Sequence, residues 1–311
     1  MRFGFSRPQT VAFMVMLAII AVAPFAVYPV FLMKVLCFAL FACAFNLLIG
    51  YVGLLSFGHA AYFGMGCYVS AYAAKTWGFS AELSILAGGI TGAVFGLAFG
   101  AIAIRRQGIY FAMITLALAQ FTYFLCTQLP FTGGEDGIQQ VPRAPLLGLI
   151  SLQNDMAMYW VVAAVFVIGF LMIFRIIHSP FGQVLKAIRE NEPRAISLGY
   201  RVDDYKLMAF VLSTFIAGIA GGLKSLVFGI ATLTDVTWQA SGEIVLTTLL
   251  GGLGTIFGPV VGAVITNTLE FYLSPFGSWV TITQGIIFVA CVMVFRRGVI
   301  GELGHKFKVS L

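Results

Sequence analysis

The chain has 311 residues, 60% hydrophobic and 10% charged, where soluble domains run roughly 45–50% apolar and about a quarter charged. Polar surface this scarce cannot cover a globule, so lipid is the solvent for most of the chain, and no sizeable catalytic domain fits outside it. The net charge of +6, which in a soluble protein would suggest nucleic acid, reads here as topology and argues for no nucleic-acid partner.

Arg2 and Arg7 precede an uncharged run from Val11 to Met33. Ala21-Val22-Ala23 imitates a signal-peptidase site, but the run is long enough to span and is read as a first transmembrane helix. Val35–Ala74 is a second uncharged stretch, two spans folded at Gly50-Tyr51-Val52-Gly53. Leu83–Ile104 is one span, ended by Arg105 and Arg106, and Gln107–Leu129 is another, ended by Pro130. A polar connection over 131–156 carries Thr132-Gly133-Gly134-Glu135-Asp136-Gly137. Ala157–Phe174 makes a sixth span, the charged segment Arg175–Lys206 follows, and Leu207–Gly229 makes a seventh. Ile244–Leu269 and Phe271–Phe295 hold two or three more.

The positive-inside rule separates the counts. With the amino terminus in the cytoplasm and three final crossings, fourteen basic residues fall inside, including Arg2, Arg296, Arg297, Lys306 and Lys308. Lys34, Lys75 and Arg143 fall outside, and Lys224 lies within a span. Two final crossings would put four of the basic residues on the wrong side. The expected fold is therefore an all-α polytopic membrane protein of about ten transmembrane helices (eight to ten). Both termini are cytoplasmic, and residues 1–311 form a single transmembrane domain. The last crossings are tight, so some helices are short or interrupted, which a membrane tolerates only where protein or a water-filled cavity covers the break.

Glycines recur at spacing four. Gly88, Gly92, Gly96 and Gly100 form one stripe, and Gly254, Gly258 and Gly262 another. Small residues on one face let helix backbones approach closely, so ordinary packing is the plain reading. The sharper reading is a helix break around a substrate path, best placed at Gly251–Pro259, where Pro259 removes a backbone donor.

Polar groups fall within or at the edges of spans at Asn46, Ser56, His59, Gln120, Lys224, Glu243, Asn267, Glu270 and Gln284. Such groups face the bundle interior by default and are candidates for a translocation path. Lys224 is expected to pair with Glu243 or Glu270, and His59 reads as an inter-helix hydrogen bonder before a proton carrier. The five cysteines read as small buried hydrophobes. His59, His178 and His305 are dispersed, so no metal site is expected, and no phosphate-binding G-x-x-x-x-G-K-[ST] loop occurs. The chain is thus expected to be no enzyme and to bind no cofactor.

Residues 178–206 are the most informative stretch. Phe181, Val184, Leu185 and Ile188 recur at helical spacing, opposite Gln183, Lys186 and Glu190. Pro193 stops that helix and suits the first turn of another, which Gly199 would cap after Leu198. Two readings fit the spacing equally: a helix docking in a partner's groove, and one lying on lipid headgroups.

These pieces together carry a resemblance. Asn46 through His59, Thr132 through Gly137, Ser179-Pro180-Phe181-Gly182 through Gly199, and Gly251 to Gly262 resemble, in order and spacing, the permease subunit of branched-chain amino acid ABC importers of the LivM type. The resemblance implies a second permease of related fold (LivH type), two cytoplasmic ATPase subunits that bind the ATP, an external substrate-binding protein, and a bacterial inner-membrane location. It also decides between the two readings of 178–206, which would be the cytoplasmic coupling segment. Gln183, Lys186, Arg189, Glu190, Glu192, Pro193, Arg194 and Gly199 are then its ATPase-coupling residues. Urea or short amides as cargo, and a stand-alone ion-coupled transporter, are the alternatives.

Overall fold

The computed structural model describes residues 7–146, 148, 151–277, 279–294 and 298–307. Arg2, Arg296, Arg297 and Lys308, which enter the charge-asymmetry argument, lie outside the described residues. Among the described residues the fold is helical, with no named strand and an isolated bridge between Ile138 and Ala231.

In chain order the helices are α1 (Arg7–Val22), α2 (Pro29–Tyr51), α3 (His59–Lys75), α4 (Ala81–Ala103), α5 (Ile109–Gln128) and α6 (Asp155–Ile177). Two short helices, α7 (Pro180–Glu190) and α8 (Glu192–Ser197), lead to α9 (Val202–Phe228). Then come α10 (Trp238–Gly251), α11 (Gly258–Leu273), α12 (Trp279–Val294) and α13 (Gly298–Phe307).

Among the described residues six stretches are long and apolar enough to cross a membrane: α1 with the turn after it, α2, α4, α5, α6 and α9. Helices α3, α10, α11 and α12 have 17, 14, 16 and 16 residues. At about 1.5 Å per residue each falls short of a bilayer core of about 30 Å. In two of them non-helical chain makes up the difference, as described below.

Helix α2 is apolar on every side, and such a helix belongs in a core; it is buried over most of its length. Around it, α3, α4 and α9 pack through glycine. Gly88, Gly92, Gly96 and Gly100 of α4 all lie against α9. A β-carbon on Gly66 of α3 would come within 2.7 Å of the Gly218 Cα, and one on Gly88 within 2.8 Å of the Gly66 carbonyl oxygen. Three backbones therefore touch where no side chain fits, which supplies the dispersion contacts that lipid cannot outcompete. Helix α1 stands at the rim, held to α6 by Phe13 stacked on Phe170 at 6.0 Å and by the Tyr159 hydroxyl donating to the Ile20 carbonyl at 2.7 Å.

Candidate functional site

Two chain breaks meet inside the bundle. After α2 ends at Tyr51, residues 52–58 run back alongside it before α3 begins. His59, the first residue of α3, lies beside Phe41 and Phe45 of α2 (6.1 and 5.4 Å between ring centroids). The helix thus starts about 10 Å inward from the end of α2, at about 1.5 Å per residue. On the other side, the chain leaves α9 at Gly229, pairs with the 131–146 connection at Ala231, and then descends into the protein before α10 begins at Trp238. The two helix starts touch: Ser241 of α10 accepts from the Ala60 amide of α3 at 2.9 Å.

Backbone groups freed at such breaks must find partners, since lipid offers none. Here hydroxyls supply them. Thr115 of α5 accepts from the Phe57 amide at 3.3 Å, and Ser56 accepts from the Gly58 amide at 3.3 Å. Ser213 of α9 donates to the Ala44 carbonyl and lies 2.9 Å from His59 Nε2. With its one proton committed to Ala44, Ser213 can only accept from His59, so Nε2 carries the imidazole hydrogen. Nδ1 of His59 has no hydrogen-bond partner among the described residues. Rings of Phe41, Phe45, Tyr62 and Phe210 surround it. These surroundings suit a hydrogen bond between α3 and α9.

The descending segment is pinned by an ion pair. Lys224 Nζ lies 2.6 Å from Asp235 Oδ2, with both side chains about nine-tenths buried. Asp235 also accepts from the Thr232 amide and hydroxyl at 3.2 and 3.0 Å, closing the turn that leads into α10. The sequence expectation had paired Lys224 with Glu243 or Glu270. Glu270 instead pairs with Lys34 of α2 at 2.8 Å. Asp235 was missed because it sits in a connection that folds back inward. The Thr232-x-x-Asp235 spacing, a capping pattern ahead of a helix, was its available signal.

The break between α10 and α11 forms the other end of the site. These helices form an antiparallel hairpin, with Thr247 donating to Thr266 at 3.1 Å and Gly251 too close to Gly258 to admit a β-carbon. The turn is 252–257, with Gly252 at φ 127°, a value that side chains resist. Pro259 comes after it, in the first turn of α11, where its missing amide hydrogen costs nothing. Asn46 of α2 clamps this turn, donating to the Thr255 carbonyl at 2.8 Å and accepting from the Gly254 amide at 3.1 Å.

Against that clamp lies the elbow formed by α7 and α8. Ser179 caps α7 by accepting from the Gly182 amide at 3.3 Å, with Pro180 in the first turn. Leu185 and Ile188 of α7 are buried, Leu185 with Leu48, Val52 and Leu54 at the end of α2. Arg189 donates to the Gly50 carbonyl, and its stem lies over Gly53. Asn191 caps α8 by accepting from the Arg194 amide at 3.0 Å. The helix ends at Gly199 (φ 87°), where the Tyr200 and Gly199 amides bond back to Ala195 and Ile196.

Glu192 faces inward, accepting from Lys206 of α9 at 2.6 Å and from Gln107, between α4 and α5, at 2.8 Å. Gln183, Glu190, Pro193 and Arg194 are exposed. So are Ile196 and Leu198, at 58% and 70%. Sequence reasoning passed over these two; apolar residues in an otherwise charged stretch were the signal.

A model of the family described as "Branched-chain amino acid transport system / permease component" matches residues 29–295. The chain belongs to this family. It is 26% identical over 288 residues to the LivM permease protein of the Escherichia coli high-affinity branched-chain amino acid transport system, covering 85% of this chain and 68% of the relative. It is 22% identical over 284 residues to the LivH permease protein of Salmonella typhimurium, covering 85% and 91%. The ribose import permease RbsC of Bacillus subtilis is 27% identical over 197 residues, 58% of each chain. No solved structure matches.

In this permease the remaining polar residues differ in depth: Gln120 is exposed, Glu243 is half-buried and Asn267 is buried. Gln120 is exposed midway along α5, above a groove lined by Arg106, Tyr110, Met113, Ile114 and Ala117. Glu243 and Asn267 flank a hole of about 10 Å³, with Thr247 and Thr266 beside it. Asn267 itself bonds back to the Ala263 carbonyl at 2.9 Å.

Proposed function

We propose that the chain is one of two membrane subunits of an ABC importer, carrying branched-chain or related amino acids across a bacterial inner membrane. A LivH-type permease would be its mate, an external binding protein would deliver the cargo, and two cytoplasmic ATPases would bind the ATP. The chain itself would hold no cofactor. LivM and LivH permease proteins among its relatives support this reading of cargo and pairing.

On this reading there are ten crossings with both termini cytoplasmic: the six long stretches together with α3, α10, α11 and α12. The elbow at 178–206 faces the cytoplasm, with the single transmembrane domain of residues 1–311 behind it. Ile196 and Leu198 are the docking surface, since exposed apolar side chains on a short helix fit a groove in a partner. Arg194 and Glu190 surround them.

The observation that carries the proposal is where the elbow is fastened. Arg189 holds Gly50, one turn from Asn46, and Asn46 holds Gly254 and Thr255. A tilt of the elbow therefore pulls on the end of α2 and on the α10–α11 turn together. The first adjoins the non-helical segment 52–58 and the second is the break between two short helices, places where the chain can change aperture without breaking a continuous helix. Gln120 would border the path, because an exposed amide at mid-span is costly against lipid, and Glu243 and Asn267 would border it where they flank the small cavity between α10 and α11.

The test is the double variant Ile196→Asp with Leu198→Asp, expressed with its operon partners. The ATPases should no longer co-purify and uptake should stop, while the permease remains in the membrane. Undiminished ATPase association would overturn the docking assignment, and uptake by the chain alone on an ion gradient would overturn the importer reading.

A further inference from the structure

Two cavities lie next to each other, lined by neighbouring residues of α1 and of the α10–α11 turn. The first is a polar cleft of about 500 Å³ beside the elbow, lined by Gln9, Tyr51, His178, Lys186, Arg189, Glu190, Gly254 and Ile256. The second is an apolar groove of about 430 Å³ between α1, α2 and α11, with Ala12, Val15, Ile19, Leu36, Phe257 and Val264 among its walls. One turn of α1 separates Gln9 from Ala12, and Ile256 and Phe257 are consecutive. A head-sized polar chamber thus adjoins a chain-sized apolar slot.

We infer that this composite site holds one anionic phospholipid of the leaflet at the α7–α8 end. The inference rests on the membrane-spanning reading above, and takes from the proposed orientation only the leaflet's name. Three observations argue for it. The lining changes from charged and polar in the cleft to apolar in the adjoining groove, the order of headgroup and acyl chain in a lipid. The cleft's cations outnumber its acid: Lys186 and Arg189 against Glu190. Lys186 pairs with no carboxylate among the described residues and sits 5.7 Å over the Tyr51 ring, leaving its three N–H donors free for a phosphate.

The groove is also open to lipid on the α1 side, where Val15 and Ile19 remain 52% and 61% exposed although they line it. Helix α1 is held to α6 through Phe13 and Ile20, and the groove lies on its other side, between it and α2 and α11. An acyl chain fills such a gap without unsatisfied polar groups. The consequence is a lipid wedged against Arg189 and the α10–α11 turn, able to bias their position.

The full chain, purified in mild detergent with whatever subunits accompany it, would be delipidated and offered phosphatidylglycerol or phosphatidylcholine of identical chains. Native mass spectrometry should retain a single phosphatidylglycerol with about fivefold preference, the value of one Lys near an anionic headgroup. Lys186→Glu, and the milder Lys186→Gln, should erase the preference. Benzoylphenylalanine in place of Ile19 should crosslink to lipid on irradiation.

Equal retention of the two lipids, or a preference unchanged in both Lys186 variants, would overturn the site. So would capture of protein by the probe at position 19, which would mean that another subunit fills the groove. Lipid retention needs no ATPase, so ATPase co-purification scored on the same samples separates failure here from failure of the importer reading.

Discussion

Lys224 and Asp235 form a buried ion pair at 2.6 Å that joins α9 to the segment descending into α10. Ten residues of chain lie between them, passing out of α9 and back in, so the pair closes the loop at its base. Removing one partner leaves a charge in a medium that solvates it poorly, at about 3–5 kcal/mol. Asp235→Ala and Lys224→Ala should each lower the thermal midpoint of the purified permease sharply. The double variant Lys224→Met with Asp235→Leu should recover most of the loss. If the double variant is as unstable as the singles, the pair is not what pins the segment.

The glycine contacts give a second, sharper contrast. At Gly218 a β-carbon would meet the Gly89 Cα at 3.2 Å and the Gly88 carbonyl closer still, whereas at Gly242 nothing lies within 4 Å. Gly218→Ala forces α4 and α9 apart and should cost about 1–3 kcal/mol, the range for overpacking. Gly242→Ala should be neutral, or slightly stabilising through helix propensity. Detergent melts of the two variants side by side decide it; equal effects would mean that close approach of α4 to α9 does not govern stability.

How much of this was legible in the sequence depends on the range of the cause. The end of α2 at Tyr51, the Gly199 cap of α8, and the glycine face of α4 follow from local spacing, and the structure has them close to where spacing puts them. The depth at which α3 and α10 begin was not legible. It is set by Ser241 meeting Ala60 and by Asp235 meeting Lys224, contacts between segments far apart in sequence. Arg189 illustrates the same limit. Periodicity puts it near the exposed side of α7, yet its long side chain turns back to Gly50, a choice made by the carbonyl at the end of α2.

Asn46 should be the most sensitive polar residue of the α10–α11 turn. It supplies both a donor and an acceptor across 208 and 209 positions of chain. Asn46→Ala leaves the Thr255 carbonyl and the Gly254 amide unpaired, at about 1–3 kcal/mol for each group that stays buried. Asn46→Asp keeps the acceptor and loses the donor, so it should retain part of the function. Expected uptake rates fall in the order wild type, Asn46→Asp, Asn46→Ala, with membrane abundance less affected than uptake. Wild-type uptake in Asn46→Ala would show that the clamp is dispensable.

Within the elbow, Glu192 and Arg194 should behave oppositely although both carry charge on α8. Glu192 binds Lys206, whose side chain is only 3% exposed, and Gln107; Arg194 is exposed with its guanidinium in solvent. Glu192→Ala leaves Lys206 as a lone buried cation and frees α8 from both α9 and the α4–α5 turn. Stability should fall by about 3–5 kcal/mol, as for a buried pair broken on one side. Lys206→Met added to Glu192→Ala should restore the melt, while the tie to α9 stays cut. Arg194→Ala should leave the melt within about 0.5 kcal/mol, as for ordinary surface changes. If the elbow transmits a push from an ATPase, the rescued double variant melts like wild type yet transports poorly, and Arg194→Ala weakens ATPase association without altering the fold. A rescued variant with full uptake would show that the push enters through α7 and Arg189 alone.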